Sequence, residues 1–111
     1  MTTQAKTFKT SILESNPPQI IFNAPVTIGA NQATIRVQTN EPLSRVILTL
    51  LPADSLIPQE FRFGSSTDLI REFTLTGLRP GVSYDYFVTV IDASGNMTQS
   101  VSYGEFHTGA L

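Results

Sequence analysis

Residues 74–96 read TLTGLRPGVSYDYFVTVIDASGN, and this stretch decides the fold. It contains a Gly/Pro-rich turn over residues 77–81, an alternating segment over 84–90 and a second turn over 92–96. Apolar and polar residues that alternate with a period of two are typical of a β-strand with one face in the core. Glycine, proline, asparagine and aspartate are typical of tight turns. The stretch therefore predicts a corner, a long strand and a hairpin in succession.

The same pattern extends over most of the chain. Short alternating segments occupy residues 19–22, 33–39, 45–51, 61–63 and 70–75, and turn residues separate them. No segment has the period of an amphipathic helix. Several short strands with turns between them are typical of an all-β sandwich. We therefore predict an all-β fold of two packed sheets.

The corner and the strand that follows it resemble the fibronectin type III family. In that family a Leu-x-Pro-Gly corner, here Leu78 to Gly81, precedes a tyrosine on the penultimate strand, and an Asp-x-x-Gly-Asn hairpin follows. The resemblance implies an immunoglobulin-like β-sandwich with about seven antiparallel strands in two sheets. It also implies that Tyr84 is a tyrosine corner, whose hydroxyl bonds to backbone upstream, next to Leu78 and Pro80.

The resemblance covers residues 17–108. Residues 33–42 and 106–108 are similar to bacterial members of the family, but Val37 stands where the family usually has a core tryptophan. We predict three parts of the chain: an N-terminal arm or linker over 1–16, the sandwich over 17–108, and a C-terminal tail over 109–111.

The composition excludes several classes of function. Only 14% of the 111 residues are charged, the net charge is -2, and the basic residues are scattered, so we expect no nucleic-acid partner. The chain has no cysteine and therefore no disulfide or thiolate chemistry. We expect no membrane insertion, because no apolar run is long enough, and we expect no signal peptide, because the first residues lack an apolar stretch.

The sequence contains no recognisable catalytic constellation. A hydrolase needs a nucleophile with a base, paired carboxylates or a metal, whereas the single histidine, His107, lies near the chain end and the acids are isolated. We expect no enzyme activity and no cofactor or metal. Asp92 and Asn96 flank one turn, where they either cap their own backbone, which we favour, or share a cation such as Ca²⁺.

One outer face of the sandwich is predicted to be unusually apolar. If Tyr84 and Phe106 point inward, alternation places large apolar residues outside on the sheet that contains the third strand and the last two strands. These residues are Ile47, Leu51, Phe87, Ile91, Val101 and Tyr103. We expect this face to bind a protein partner or a sister copy. The alternative is that the loop over residues 52–60, or the N-terminal arm, covers it.

The arm itself alternates around Phe8 and Ile12, so it could add a strand to another sheet edge; the alternative is a frayed tail or linker.

From the predicted fold, the absence of a catalytic constellation and the apolar outer face, we expect a non-catalytic structural or adhesion module. Its first context is a bacteriophage virion surface or decoration protein, since the numbering starts at Met1 without a signal peptide. The alternative is a spacer or accessory module of a secreted bacterial carbohydrate-active enzyme or cell-surface protein, which would contact carbohydrate only through neighbouring domains. Either context is extracellular or on a virion.

Overall fold

The computed structural model describes residues 16–100 and 104–110 of the chain. This part contains eight strands and no helix. The strands are β1 (Ile20–Ile28), β2 (Ala33–Thr39), β3 (Leu43–Pro52), β4 (Gln59–Phe63), β5 (Ile70–Leu75), β6 (Ser83–Asp92), β7 (Met97–Gln99) and β8 (Gly104–His107).

The strands form two antiparallel sheets. The three-stranded sheet has the order β1-β2-β5, and the five-stranded sheet has the order β4-β3-β6, with both β7 and β8 paired to β6. The predicted all-β sandwich is confirmed. After β7, Ser100 is still bonded to β6: its hydroxyl accepts the N–H of Val88 at 3.1 Å, and its own N–H donates to the carbonyl of Val88 at 2.8 Å.

The first strand is longer than the predicted segment over residues 19–22. It continues to Ile28 as the edge of the three-stranded sheet, with register shifts between Ile20 and Phe22 and between Pro25 and Thr27. Such irregularities add an unpaired residue and break the alternation from which a strand is recognised. Pro25 is tolerated because an edge strand need not donate all of its N–H groups.

The hydrophobic core lies between the sheets and is built from the inward residues of β2, β3, β5 and β6. Val37, which stands where the resemblance implies a tryptophan, is buried in it. The aromatic side chains that fill the core lie at other positions. The rings of Tyr84 and Phe106 stack with centroids 5.3 Å apart, and those of Phe63 and Phe73 lie 4.5 Å apart.

The connection from β5 to β6 crosses between the sheets at a hydrogen-bonded corner. Tyr84 is fully buried, and its hydroxyl accepts a hydrogen bond at 2.9 Å from the backbone N–H of Arg79, five residues upstream. Leu78 is buried and Pro80 half-buried in the same turn. Gly81 has a φ of 67°, a left-handed conformation that glycine adopts without strain. The hydrogen bond between Arg79 and Tyr84 fixes the turn to the start of β6.

Candidate protein-interaction surface

The outer side of the five-stranded sheet carries four large apolar residues from β3 and β6. Ile47 and Leu51 lie on β3, Phe87 and Ile91 lie on β6, and each is half-buried. They share this side because the residues between them, such as Leu50 and Val88, are buried in the core. The four residues are named here the outer cluster.

The outer cluster surrounds two threonines at the centre of the sheet. The register places Thr89 directly opposite Ile47 and Thr49 directly opposite Phe87. Thr49 is only 6% exposed and Thr89 only 9%, although both are on the outer side. Apolar side chains beside them exclude water from the middle of this face. A solvated antiparallel face is ordinarily polar, so its centre differs from an ordinary outer face.

Charged residues surround the outer cluster. Glu60 and Arg62 on the neighbouring edge strand form an ion pair at 3.0 Å, and Asp85 and Glu105 lie opposite each other on β6 and β8. These side chains are exposed. An apolar centre with a polar rim is the arrangement found in protein–protein interfaces. The exposed ion pair itself contributes little to stability.

Four of the predicted interface residues cannot be placed. Val101, Tyr103, Phe8 and Ile12 lie outside the described residues. On β8 the predicted alternation of inward and outward side chains is present, since Phe106 is buried whereas Glu105 and His107 are exposed. The structure therefore brings together Ile47, Leu51, Phe87 and Ile91. The predicted arm falls almost entirely within the undescribed residues.

Sequence reasoning missed a second set of apolar residues, which is more exposed than the outer cluster. On the three-stranded sheet, Phe22 and Ile70 are exposed, and between β3 and β4 the adjacent Leu56 and Ile57 are exposed. The available signals were the unalternating run over residues 20–22 and an apolar pair before Pro58. Neither signal reveals exposure, which depends on what packs nearby.

The Asp92 turn is closed by its own hydrogen bonds. Oδ1 of Asp92 accepts the backbone N–H groups of Ser94 at 3.0 Å and Asn96 at 2.8 Å, and Oδ2 accepts the Asn96 side-chain amide at 3.1 Å. Burial raises the pKa of Asp92, but these hydrogen bonds lower it more, so the pKa lies below the ordinary 3.8. Both carboxylate oxygens are thus engaged in capping.

The hydroxyl of Ser83 and Nδ1 of His107 lie 2.7 Å apart on the paired ends of β6 and β8. Sequence analysis did not foresee this contact, since the two residues are far apart in the chain. His107 is exposed and Ser83 is half-buried. Within residues 16–100 and 104–110, no group of three or more His, Cys, Asp or Glu side chains could hold a metal ion.

The described residues contain no helix with the length and apolar character needed to cross a bilayer.

No family model matches the chain, and no curated protein matches it. A solved myokine structure superposes with a TM-score of 0.70 at 17% identity, covering 85% of this chain and 99% of that one. The fibronectin type III domain of human fibronectin type III domain containing protein 3 has a TM-score of 0.61 at 16% identity. The match covers 87% of this chain and 88% of that one. The FN5 domain of Drosophila Lar has a TM-score of 0.56 at 19% identity, and the match covers 87% of this chain and 99% of that one. At these identities the likeness concerns the fold alone.

Proposed function

We propose that this chain, whose fold is fibronectin type III-like, is a non-catalytic structural or adhesion module. It contacts a protein partner or sister copies through the outer cluster of Ile47, Leu51, Phe87 and Ile91. The fold is similar to that of fibronectin type III domains, which suggests a protein-interaction or structural module. A fold by itself does not determine a function, so the proposal rests on this surface.

The observation that carries the proposal is the exclusion of water from the centre of the outer face by the apolar side chains around it. Residues Thr49 and Thr89 are buried there, and the half-buried side chains of Ile47 and Phe87 lie directly opposite them. Large apolar residues at the centre of a charged rim supply affinity when a partner covers them, and the rim supplies orientation. Phe87 is the largest of the four side chains and the one we expect to contribute most.

The test is association of the full chain, measured by sedimentation velocity and by capture of particle or cell-surface proteins. We expect Phe87→Lys to weaken association at least about tenfold, because a cation replaces the central aromatic ring. The matched control is Thr74→Lys, which adds the same charge at an exposed position on the other sheet. That control should associate as the native chain does.

Thermal unfolding separates loss of contact from loss of fold. Since Phe87 is half-buried, the lysine variant must keep a cooperative transition for the association result to count. Ile47→Thr is the milder companion variant, because threonine retains β-propensity while removing apolar surface. A folded Phe87→Lys chain that associates normally would contradict the proposal.

The proposed context is a bacteriophage virion, in which the chain is a surface or decoration protein held by neighbouring subunits. The alternative is an extracellular spacer or accessory module of a secreted bacterial carbohydrate-active enzyme or cell-surface protein. In both, the chain needs no cofactor. The neighbouring genes and the complete reading frame distinguish them, because capsid or tail genes favour the virion and a longer frame with an export signal favours the module.

A further inference from the structure

Two edge strands lie next to each other on one side of the sandwich. Strand β4 ends the five-stranded sheet, and β5 ends the three-stranded sheet. The rings of Phe63 on β4 and Phe73 on β5 have centroids 4.5 Å apart, so the two edges meet beside the core. We call this side of the molecule the seam. An edge strand presents unpaired N–H and C=O groups, which can pair with a strand of another chain.

The hydrogen bonds of β5 show which of its backbone groups are unpaired. The N–H of Thr39 donates to the carbonyl of Leu69 at 2.9 Å, and the register that follows is regular. Bonded and non-bonded residue pairs alternate in an antiparallel ladder, so every second residue of β5 directs its backbone groups away from β2. These residues are Ile70, Glu72 and Thr74. No other described strand pairs with this edge.

Strand β5 lacks several features that protect sheet edges. Its six residues include no proline or glycine, and its register with β2 has no shift. The opposite edge of the same sheet differs, because β1 contains Pro25 and two register shifts. On the outer side of β5, Glu72 is neutralised by an ion pair with Arg36 at 2.5 Å. A regular edge strand without such protection is a template for aggregation.

Arg71 is a charged residue on the inward side of this edge strand. It lies directly opposite the buried Val37, and alternation places it on the same side as the core residue Phe73. Its Cζ atom lies 4.8 Å from the centroid of the Phe73 ring, and Nη1 donates to the carbonyl of Gly64 at 3.0 Å. Burial lowers the pKa of the Arg71 guanidinium, although the charge of Asp68 opposes this shift. The cation therefore already lacks part of its hydration.

The Arg71 side chain crosses the seam from β5 to the end of β4, because Gly64 directly follows β4. It is half-buried, and it forms no ion pair with a carboxylate among residues 16–100 and 104–110. A strand added to β5 would pack its own inward side chains against this guanidinium and remove its remaining water. Burial of a charge without an ionic partner is costly, so strand addition at this edge is disfavoured.

We propose that Arg71 guards the seam, because its charge prevents β5 from pairing with a β-strand of another chain. An inward-pointing charge is one of the general ways in which edge strands avoid aggregation. The role is separate from the proposed function, since the outer cluster lies on the outer side of the other sheet. Arg71 restricts self-association at the seam and leaves the outer face free for specific contacts.

The experiment compares Arg71→Met with the native full chain from about 10 μM to 1 mM, by sedimentation velocity and thioflavin T fluorescence. Methionine keeps an unbranched side chain and removes the charge. We expect Arg71→Met to form β-rich assemblies at a concentration at least about tenfold lower than the native chain does. Arg71→Lys keeps the charge and should behave as the native chain. The matched control is Arg36→Met, which removes the same charge from the outer side of the central strand β2 and should not assemble.

A second substitution locates the contact on β5. Thr74→Pro removes one N–H from the free edge and leaves the ladder with β2 intact, so it should abolish the assembly of Arg71→Met. Assembly that persists with this proline would overturn the inference, as would an Arg71→Met chain that stays as monomeric as the native chain. Assembly that Phe87→Lys abolishes would assign the contact to the outer cluster and would also overturn it.

Loss of stability alone could also cause assembly, and Gly104→Ala tests this. It keeps Arg71, but its added Cβ would overlap the ring of Tyr86, so the variant should be destabilised without assembling. Urea unfolding measures the stability of both variants. If Gly104→Ala assembles as readily as Arg71→Met at an equal loss of stability, unfolding is the cause and the inference fails.

Discussion

Gly104 on β8 lies directly opposite Tyr86 on β6, and the tyrosine ring fills the space that a side chain at position 104 would need. A Cβ at residue 104 would lie 2.6 Å from the phenolic oxygen of Tyr86, with ring carbons closer still. The ring cannot move aside easily, because Tyr86 is buried and packs against Phe106 with centroids 6.0 Å apart. A cross-strand aromatic ring that covers a glycine also fixes the register of the pair.

We therefore expect Gly104→Ala to destabilise the fold by about 1–3 kcal/mol, the usual cost of overpacking a core. Urea unfolding measures the change. The matched control is Gly64→Ala, since a Cβ at residue 64 would meet no atom within 4 Å. That control should stay within about 0.5 kcal/mol of the native chain. Equal stability of the two variants would mean that the Tyr86 ring is not held in place.

Tyr84→Phe should destabilise the chain by about 1–2 kcal/mol, because it removes the acceptor for the Arg79 N–H and leaves that donor without its partner. Tyr86→Phe is the comparison. The Tyr86 hydroxyl donates to Oδ1 of Asn23 over a longer 3.3 Å, so its loss should cost less than about 1 kcal/mol. Urea midpoints at neutral pH measure both. A larger loss in Tyr86→Phe would show that the corner bond is not the stronger one.

Acid should destabilise the fold through Asp54 and Asp92. The hydrogen bond from Arg79 lowers the pKa of the exposed Asp54, and for Asp92 the turn hydrogen bonds outweigh burial, so the pKa of each carboxyl group lies below 3.8. A carboxyl group with a lowered folded pKa stabilises the protein above its unfolded pKa. That contribution is lost as the pH falls through the folded value.

The measurement is urea unfolding between about pH 2.5 and 7 on the native chain and on Asp54→Asn with Asp92→Asn. The double variant should be less stable than the native chain at neutral pH, and the two should converge in acid. If the double variant loses as much stability in acid as the native chain, other groups are responsible.

Gln59→Met should stabilise the fold by about 1 kcal/mol. The side-chain oxygen of Gln59 is buried and has no hydrogen-bond partner among the described residues, and an unsatisfied buried acceptor is destabilising. Gln99→Met, at an exposed position on β7, is the control and should change the free energy of unfolding by less than about 0.5 kcal/mol. A loss of stability on Gln59→Met would indicate that the oxygen has a solvent partner.

Strand prediction succeeded where the register is regular. The predicted bounds of residues 33–39 and 70–75 are those of β2 and β5, because core residues such as Ile35 and Phe73 alternate strictly with outward ones. It failed along β1, where two register shifts remove the alternation that the method depends on. The alternation of residues along the strands was enough to predict that Ile47 and Phe87 face outward. It did not predict that both side chains are half-buried.

By itself the sequence determined the all-β class, the inward and outward sides of the regular strands and the turn at residues 92–96, because these follow from local periodicity and turn chemistry. Only the tertiary structure decided which apolar residues remain in contact with solvent. Leu56 and Ile57 are as apolar as any core residue, yet both are exposed, and the loop that carries them begins at Asp54, which pairs with Arg79 from a distant part of the chain. Long-range contacts of this kind depend on chain segments far apart in sequence, which no local pattern records.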